Sequence, residues 1–493
     1  MRKLILRPQF ILIIILLICL FFRTYDVVGR FEFAHDGDLY SWIVKDIIVN
    51  HHYRLIGQLT SAPGIFIGPL FYYSLVPFFM VFNMSPIGAL VLATIIGLIT
   101  TFSFYWVFSK LFNKEIGLIA SFLDAALLYF VNFDRWVVPT VYTNLWTIWY
   151  FYAVIMLARG NFAILPLLGI LVGLIWQVHI ALIPALIAVP TAIIISRKLP
   201  NLKQSITFVV TLAITSLPLI LFESRHGFSQ TQALIHNLTI NQPGPTGLFK
   251  LQLIFQMISR NVNDMLFAPQ SIPLVGNSIM IIILLISALW LVKRKLLTFK
   301  ELIPLYAWFL GVVLFFTLSS SLISEYYFFN INIIFITIIT LFLYALFRSS
   351  KLGKILLLII LTLLLIKNVY FFTSQYVYHK GYIERKGIAD FIALDAKTKG
   401  YSCVGISYIT APGENVGFRY FFYLNNLHLV HPSINVPVYN IVLPDELALG
   451  QIDKKLGHIG VIIPKEKVNP QAIQKSCETP NTNLTDPVFG YVD

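Results

Sequence analysis

The sequence predicts an all-α polytopic membrane bundle of about eleven transmembrane helices, followed by a small C-terminal α/β extracytoplasmic domain. Three observations predict it. Hydrophobic residues make up 57% of the 493 positions and charged residues only 12%, where a soluble globular chain carries roughly 25% charged residues. Apolar stretches long enough to cross a bilayer, which needs about 20 residues, recur throughout positions 1–372. Beyond that point, over 373–493, the text turns polar and mixed.

Basic clusters mark the cytoplasmic span ends: Arg2/Lys3/Arg7, Lys110/Lys114, Arg159, Arg197/Lys198/Lys203, Lys293/Arg294/Lys295/Lys300 and Arg348/Lys351/Lys354. Spans alternating between them run near 8–23, 86–109, 116–131, 139–158, 162–178, 181–196, 206–222, 273–292, 302–320, 327–347 and 355–372. The N-terminus is then inside and the tail outside. The run 10–22 behind Arg2, Lys3 and Arg7 reads as a signal anchor, because no small-residue cleavage site follows it. Residues 65–83 are apolar enough to cross, but a crossing there would invert every later basic cluster. Pro63, Gly64, Gly68, Pro69 and Pro77 also interrupt the segment. It is expected to form a broken or surface-lying helix on the outer face, since irregular backbone at membrane depth must be buried in protein or line a wet cavity.

This topology puts all ten histidines on the outer side or at outer span ends. The polar loops 24–64 and 222–272 fall there too, so a site built from them would face the periplasm or cell exterior. The second loop carries Asn241-Gln-Pro-Gly-Pro-Thr-Gly247, which is flexible turn text and suits a loop that closes over substrate. In the tail, Ile383–Ile392 reads as a charged helix, and Ser402–Ser407 and Gly460–Ile463 read as short strands.

The net charge of +13 comes from Lys and Arg at span ends. It fits contact with anionic lipid and gives no sign of a nucleic-acid partner. Three cysteines are too few for a disulfide framework. Cys403 and Cys477 could pair if the tail lies outside the cytoplasm.

Acids are sparse in the apolar part of the chain, which singles out Phe33-Ala-His-Asp-Gly-Asp-Leu-Tyr40 just beyond the first span. On a helix starting near Asp36, both Asp36 and Asp38 sit in the first turn. There the helix dipole favours carboxylates, and Asp36 would make a good N-cap. The functional alternative is general-base catalysis, with one carboxylate taking a proton from an acceptor hydroxyl.

Asp36-Gly-Asp-Leu-Tyr40 resembles the Asp-Glu-x-x-Tyr pattern in the first outer loop of the polytopic glycosyltransferases that use lipid-phosphate sugars. That superfamily has the GT-C fold and includes protein O-mannosyltransferases (glycosyltransferase family 39) and bacterial aminoarabinose transferases. The family's leading Asp, the presumed base, falls on Asp36, and its Tyr on Tyr40. The usual Glu is replaced by Gly37, with Asp38 one position later, so either acid could be the base. Gly57–Tyr73 resembles the Pro-rich segment before the second span, Phe133-Asp-Arg-Trp136 the second-loop motif with its Arg, and Gln177-Val-His179 and Phe222-Glu-Ser-Arg-His226 further outer-face signatures. The similarity covers roughly residues 1–350, as pattern and order.

The resemblance implies an inverting glycosyltransferase of the plasma (inner) membrane. It would move a monosaccharide from a polyprenyl-phosphate donor to a lipid, glycan or protein acceptor on the outer face. Asp36 and Asp38 are then the catalytic candidates. Arg135, Arg225 and His226 are the candidates for the donor phosphate, since Arg suits phosphate geometry. Tyr40, Asp134, His179, Glu223 and Glu325 are further site candidates. Asp134 could be a second acid, and Glu325 could bind sugar hydroxyls or balance Arg135. Each also has a plain structural reading, as an interfacial ion pair, a cap or a solvated loop start. Asp124, inside a span, must be paired or wet. No phosphate-binding Gly-rich loop, Cys/His zinc spacing or haem motif appears. No cofactor is specified, a divalent cation being the candidate. Two rivals share these features. One is a glycan polymerase or ligase using a diphosphate-linked oligosaccharide. The other is a flippase or transporter for a lipid-linked sugar, whose paired broken helices in two repeated halves are not seen.

Overall fold

The computed structural model describes residues 7–239, 245–268, 279–319, 322–465 and 468–485. Most of the Asn241–Gly247 turn text lies outside the described residues, as does the start of the expected span at 273–292. The chain divides into two compact units, the first made of residues 1–25, 59–71 and 93–375, the second of 26–58, 72–92 and 376–493. This division differs from a cut after residue 372. Residues 26–58 of the first outer loop, and 72–92, group with the tail.

The first unit is helical and apolar, as a multi-pass membrane protein requires. Among the described residues, five helices are long and apolar enough to cross a membrane: Ile87–Leu111, Pro139–Ala158, Phe299–Leu318, Glu325–Ser349 and Lys351–Ser374. The total reaches seven if each of two bent pairs is one span. Expected span 116–131 is the pair Lys114–Ala126 and Leu128–Arg135, bent by 60°. Expected span 206–222 is Leu202–Thr215 and Leu217–Arg225, bent by 64°. Spans expected at 8–23, 162–178, 181–196 and 273–292 correspond to shorter apolar helices, Pro8–Thr24, Phe162–Val178, Ile180–Ser196 and Ile279–Lys293.

Both breaks have identifiable causes. Leu127 is extended, which frees the carbonyls before it. Arg23 fills them, donating to Ala125 O at 2.7 Å and Asp124 O at 3.1 Å, and the Asn368 amide donates to Ala126 O at 2.7 Å. Side chains thus take over the backbone acceptors that lipid cannot satisfy. At the second break, Pro218 opens the new helix, where its missing N–H costs nothing. Elsewhere small residues let helices approach. Gly169 and Gly173 on Leu165–Val178 face Thr211 and Thr215 on Leu202–Thr215, and a Cβ on Gly173 would lie 2.0 Å from Thr215 Oγ1. Buried aromatics such as Trp146, Tyr150 and Trp308 fill the core of this unit.

The second unit is mixed. The helix Leu70–Val81, whose residues from Tyr72 on belong to this unit, has 12 residues. It rises about 18 Å, short of the roughly 30 Å hydrocarbon thickness. The tail forms a five-stranded sheet from β1 (Val404–Thr410), β2 (Leu429–Val430), β3 (Val438–Leu443), β4 (Lys454–Leu456) and β5 (Ile459–Ile462), in the order β2-β1-β3-β5-β4. β1 pairs in parallel with β2 and β3, and β5 pairs antiparallel with β3 and β4. The expected helix is Tyr382–Thr398. Cys403 and Cys477 form a disulfide that joins the start of β1 to the helix Pro470–Ser476. A helix at His35–Val49 completes the unit. Its Phe33 and Trp42 neighbourhood packs on the tail's aromatics: Phe33 on Phe421 at 4.7 Å and Trp42 on Tyr423 at 5.4 Å, with Phe31 stacked on Tyr382.

Candidate active site

The His35–Val49 helix starts from Ala34, which offers no side-chain cap. Asp36 therefore lies one residue inside the helix and is not its N-cap. Both acids stay in the first turn, where the orphan amides and the dipole favour them. They have different surroundings.

Asp36 is partly exposed, with 39% of its side chain open. Its Oδ1 accepts from Gln58 Nε2 at 3.3 Å, and His35 Nδ1 stands 3.6 Å away. That neighbour raises the His35 pKa above its ordinary value. Gln58 is itself held. Its backbone N–H donates to the Tyr72 hydroxyl at 3.1 Å, and that hydroxyl donates to Gln58 Oε1 at 3.0 Å. The amide is thereby oriented with its NH2 towards Asp36.

Asp38 is buried, only 6% exposed. Its Oδ1 accepts from the Tyr420 backbone N–H at 2.9 Å. Burial pushes its carboxyl up to about 6, against the opposing pull of that N–H, Arg419 and Arg385. Arg385 is buried too, donates to Lys380 O and Val416 O, and lies over the Phe418 ring at 4.8 Å. Burial lowers its pKa to about 10. Tyr40 is fully buried, its ring edge-on to Phe79 at 6.4 Å.

Gly37 explains the departure from the Asp-Glu pattern. A Cβ there would lie 2.6 Å from the Phe33 ring. Phe33 is fully buried between Phe31, Tyr382 and Phe421 and cannot yield. A glutamate at position 37 does not fit this packing.

The remaining candidates belong to the helical unit. Asp134 pairs with Arg23, Oδ2 to Nη2 at 2.6 Å, both side chains 1% exposed. Asp124 accepts from Thr101 Oγ1 at 2.6 Å and from the Asn144 amide at 2.8 Å, so the acid inside the span is bonded. Arg135 Nη1 donates to Phe22 O at 2.9 Å and Tyr25 O at 3.2 Å, closing the C-terminus of Pro8–Thr24. Its guanidinium also lies over the Phe372 ring. Glu223 accepts from Gln230 N at 3.0 Å, Thr231 N at 2.9 Å and Thr231 Oγ1 at 2.6 Å. It thus supplies the anion at the start of helix Ser229–Thr239.

His179 Nδ1 accepts from Ala181 N at 3.1 Å, and its ring packs on Tyr326 and Tyr327. Glu325 pairs with Arg260 at 2.8 Å rather than with Arg135. Arg225 and His226 are exposed at the end of Leu217–Arg225, with the His226 ring stacked on Phe222 at 4.1 Å.

Four residues escaped the sequence reading: Gln58, Tyr420, Arg385 and Arg23. Gln58 stood inside the Pro-rich segment beside Thr60 and Ser61, with nothing local to mark its amide. Tyr420 and Arg385 act across more than 340 positions, which no local spacing reveals. Arg23, an arginine at the end of the first span, could have been matched to the buried Asp134 as a charge needing a partner.

No family model and no curated protein matches the chain. Solved structures do. The fold is similar to that of ArnT from Cupriavidus metallidurans, solved with undecaprenyl phosphate, at a TM-score of 0.58 and 12% identity, covering 93% of this chain and 99% of that one. The archaeal oligosaccharyltransferase of Archaeoglobus fulgidus also matches, in its apo form, at a TM-score of 0.49 and 13% identity, covering 94% of this chain and 75% of that one. The oligosaccharyltransferase AglB from Archaeoglobus fulgidus, in complex with an inhibitory peptide and a dolichol-phosphate, gives a TM-score of 0.48 at 13% identity, covering 94% of this chain and 75% of that one. The likeness to ArnT runs through nearly the whole of both chains, and the protein has a GT-C-like fold.

Proposed function

We propose that this protein is an inverting membrane glycosyltransferase of about eleven crossings, which moves a monosaccharide from a polyprenyl-phosphate donor to the hydroxyl of a lipid, glycan or protein acceptor. The observation that carries the reading is the unequal pair of carboxylates in the first turn of His35–Val49. Asp36 is open to solvent and aimed by Gln58. Asp38 is buried and fastened to the Tyr420 backbone. The fold likeness to ArnT, which was solved with a polyprenyl phosphate, supports the donor class.

In this reading Asp36 is the general base. It takes the proton from the acceptor hydroxyl as the oxygen attacks the anomeric carbon. The bond from that carbon to the phosphate oxygen breaks, polyprenyl phosphate leaves with the electron pair, and a single displacement inverts the carbon. Asp38 is a positioning residue that ties the helix bearing Asp36 to the Tyr420 backbone. Positive groups would stabilise the charge that develops on the leaving phosphate. Arg135 serves the first helix's C-terminus, with its Nη1 taken up by backbone carbonyls.

The outer-face orientation of the tail is supported by the Cys403–Cys477 disulfide, since such bonds persist in oxidising compartments. The plasma membrane is the location that fits. Proteoliposomes supplied with a radiolabelled polyprenyl-monophosphate sugar and lipid acceptors test the activity. Covalent transfer that Asp36→Asn abolishes is the expected result. Transport of label without a new glycosidic bond, or use of diphosphate-linked oligomers alone, would overturn it.

A further inference from the structure

A second cluster of ionisable side chains lies in the mixed unit, in a part of the sequence that the proposed chemistry does not use. Asp445 and Glu446 open the 3-10 turn Asp445–Ala448 that follows β3. His458 sits in the turn between β4 and β5. The backbone sets their approach. Asp445 N–H donates to His458 O at 3.0 Å, and His458 N–H donates to His379 O at 2.8 Å. The His458 ring is fixed on both sides. Its Nε2 lies 3.0 Å from the Tyr376 hydroxyl, and its face stacks on Tyr378 at 4.2 Å and 6°.

Nδ1 is thereby turned towards the acids, 3.4 Å from Asp445 Oδ1 and 3.8 Å from Glu446 Oε1. One ligand atom from each of the three residues fits within a 4.8 Å group. Asp445 is only 3% exposed. Its Oδ1 and His458 Nδ1 are both shielded from solvent, and each has the other as its nearest side-chain partner. Lys455 occupies the other oxygen of Asp445.

We infer that Asp445, Glu446 and His458 form a binding site for one divalent cation of the zinc type. A buried carboxylate oxygen and a buried imidazole nitrogen that face each other need either the ring's proton or a metal ion between them. At 3.4 Å they stand too far apart for a good hydrogen bond. That separation is about the edge of a tetrahedron with bonds near 2.1 Å, the length zinc makes to His and carboxylate. A neutral ring donating Nε2–H to the Tyr376 hydroxyl leaves a lone pair on Nδ1, and such an outer hydrogen bond is the usual support of a metal-bound histidine. One imidazole with two carboxylates suits zinc or manganese better than magnesium or calcium, which favour all-oxygen sites. Lys455 neutralises part of the acidic charge and leaves Asp445 Oδ1 for the ion. The ion would pin the 3-10 turn to the β4–β5 hairpin.

The test uses full-length protein in detergent, stripped with chelator and titrated with zinc alone. Calorimetry and elemental analysis read affinity and stoichiometry. One zinc per chain is expected, lost in His458→Gln and weakened about 10–100-fold in Tyr376→Phe, which removes only the outer partner. Glu446 is a surface residue with 58% of its side chain exposed. Glu446→Gln therefore keeps the fold, checked by circular dichroism and gel filtration, while weakening binding at least about tenfold. Wild type that binds no zinc saturably would overturn the inference. So would zinc binding equal in wild type, His458→Gln and Glu446→Gln.

Discussion

Replacing Asp38 with asparagine tests the buried half of the carboxylate pair. Asp38 sits at 6% exposure, and its carboxyl is raised from 3.8 to about 6, mainly by burial. The folded value lies above the unfolded one, so the folded chain holds the proton more tightly. Stability from this group is fully present below about pH 3.8 and is lost as pH rises through about 6. At 1.36 kcal/mol per tenfold step, the ionised Asp38 costs about 3 kcal/mol at neutral pH. Asparagine keeps an acceptor for the Tyr420 N–H at the same place and carries no charge. Asp38→Asn should therefore stabilise the mixed unit at pH 7.5 by up to about 3 kcal/mol, and by almost nothing at pH 4. At ~2–4 °C per kcal/mol for a unit of this size, the melting temperature rises by up to about 6–12 °C. Thermal unfolding in detergent at the two pH values, followed by near-UV circular dichroism, reads it. A variant that melts below wild type at pH 7.5, or a gain of equal size at both pH values, would refute the reasoning. A gain confined to neutral pH would mean that the chain keeps a costly anion beside Arg385 and Arg419, as functional sites often do.

Four other outcomes follow from the same geometry. Asp36→Asn should lower transfer about 10²–10⁴-fold while leaving the melting temperature within about 1–2 °C of wild type, since surface changes are worth under about 0.5 kcal/mol; radiolabel transfer and thermal unfolding of one preparation check both. Gln58→Leu removes the amide that aims Asp36 and should lower kcat with little change in donor KM, read from initial rates over a donor series. Asp134→Ala leaves Arg23 buried without its partner and should destabilise the helical unit by about 3–5 kcal/mol, seen as early loss of the monodisperse peak on heated gel filtration, with Arg23→Met/Asp134→Leu restoring it. Gly173→Val forces a side chain against Thr215 and should cost at least about 1–3 kcal/mol, again by thermal stability.

Much of the helical unit was legible because apolar length is a local property. The runs around 86–109, 139–158 and 327–347 became Ile87–Leu111, Pro139–Ala158 and Glu325–Ser349. The bend at Leu127 was not legible, because its carbonyls are filled by Arg23 and Asn368, more than 100 positions away. In the tail, β1 and β5 showed as apolar runs. β2 has two residues and β4 reads Lys-Lys-Leu, so neither carries a strand signal. Above all, the grouping of 26–58 and 72–92 with the tail rests on aromatic packing such as Phe33 on Phe421, which hydropathy cannot register.

The two acids themselves show how spacing becomes division of labour. Residues two apart on an α-helix are separated by about 200°, so Asp36 and Asp38 cannot share one face. One must turn towards whatever the helix packs on. In this chain Trp42 and the segment 418–423 provide that contact, and Asp38 lies on that side. Asp36 is left to the open side, with Gln58. Adjacent acids, as in an Asp-Glu pair, would stand only about 100° apart and could both reach one substrate. The Phe33 ring excludes any side chain at position 37, which removes that option here. A second acid can then sit only at a position that packing buries. On this geometry the exposed carboxylate takes the proton and the buried one holds the helix. Gly37→Glu, which would recreate the adjacent pair, should displace Phe33 and destabilise the unit without restoring transfer to an Asp36→Asn protein.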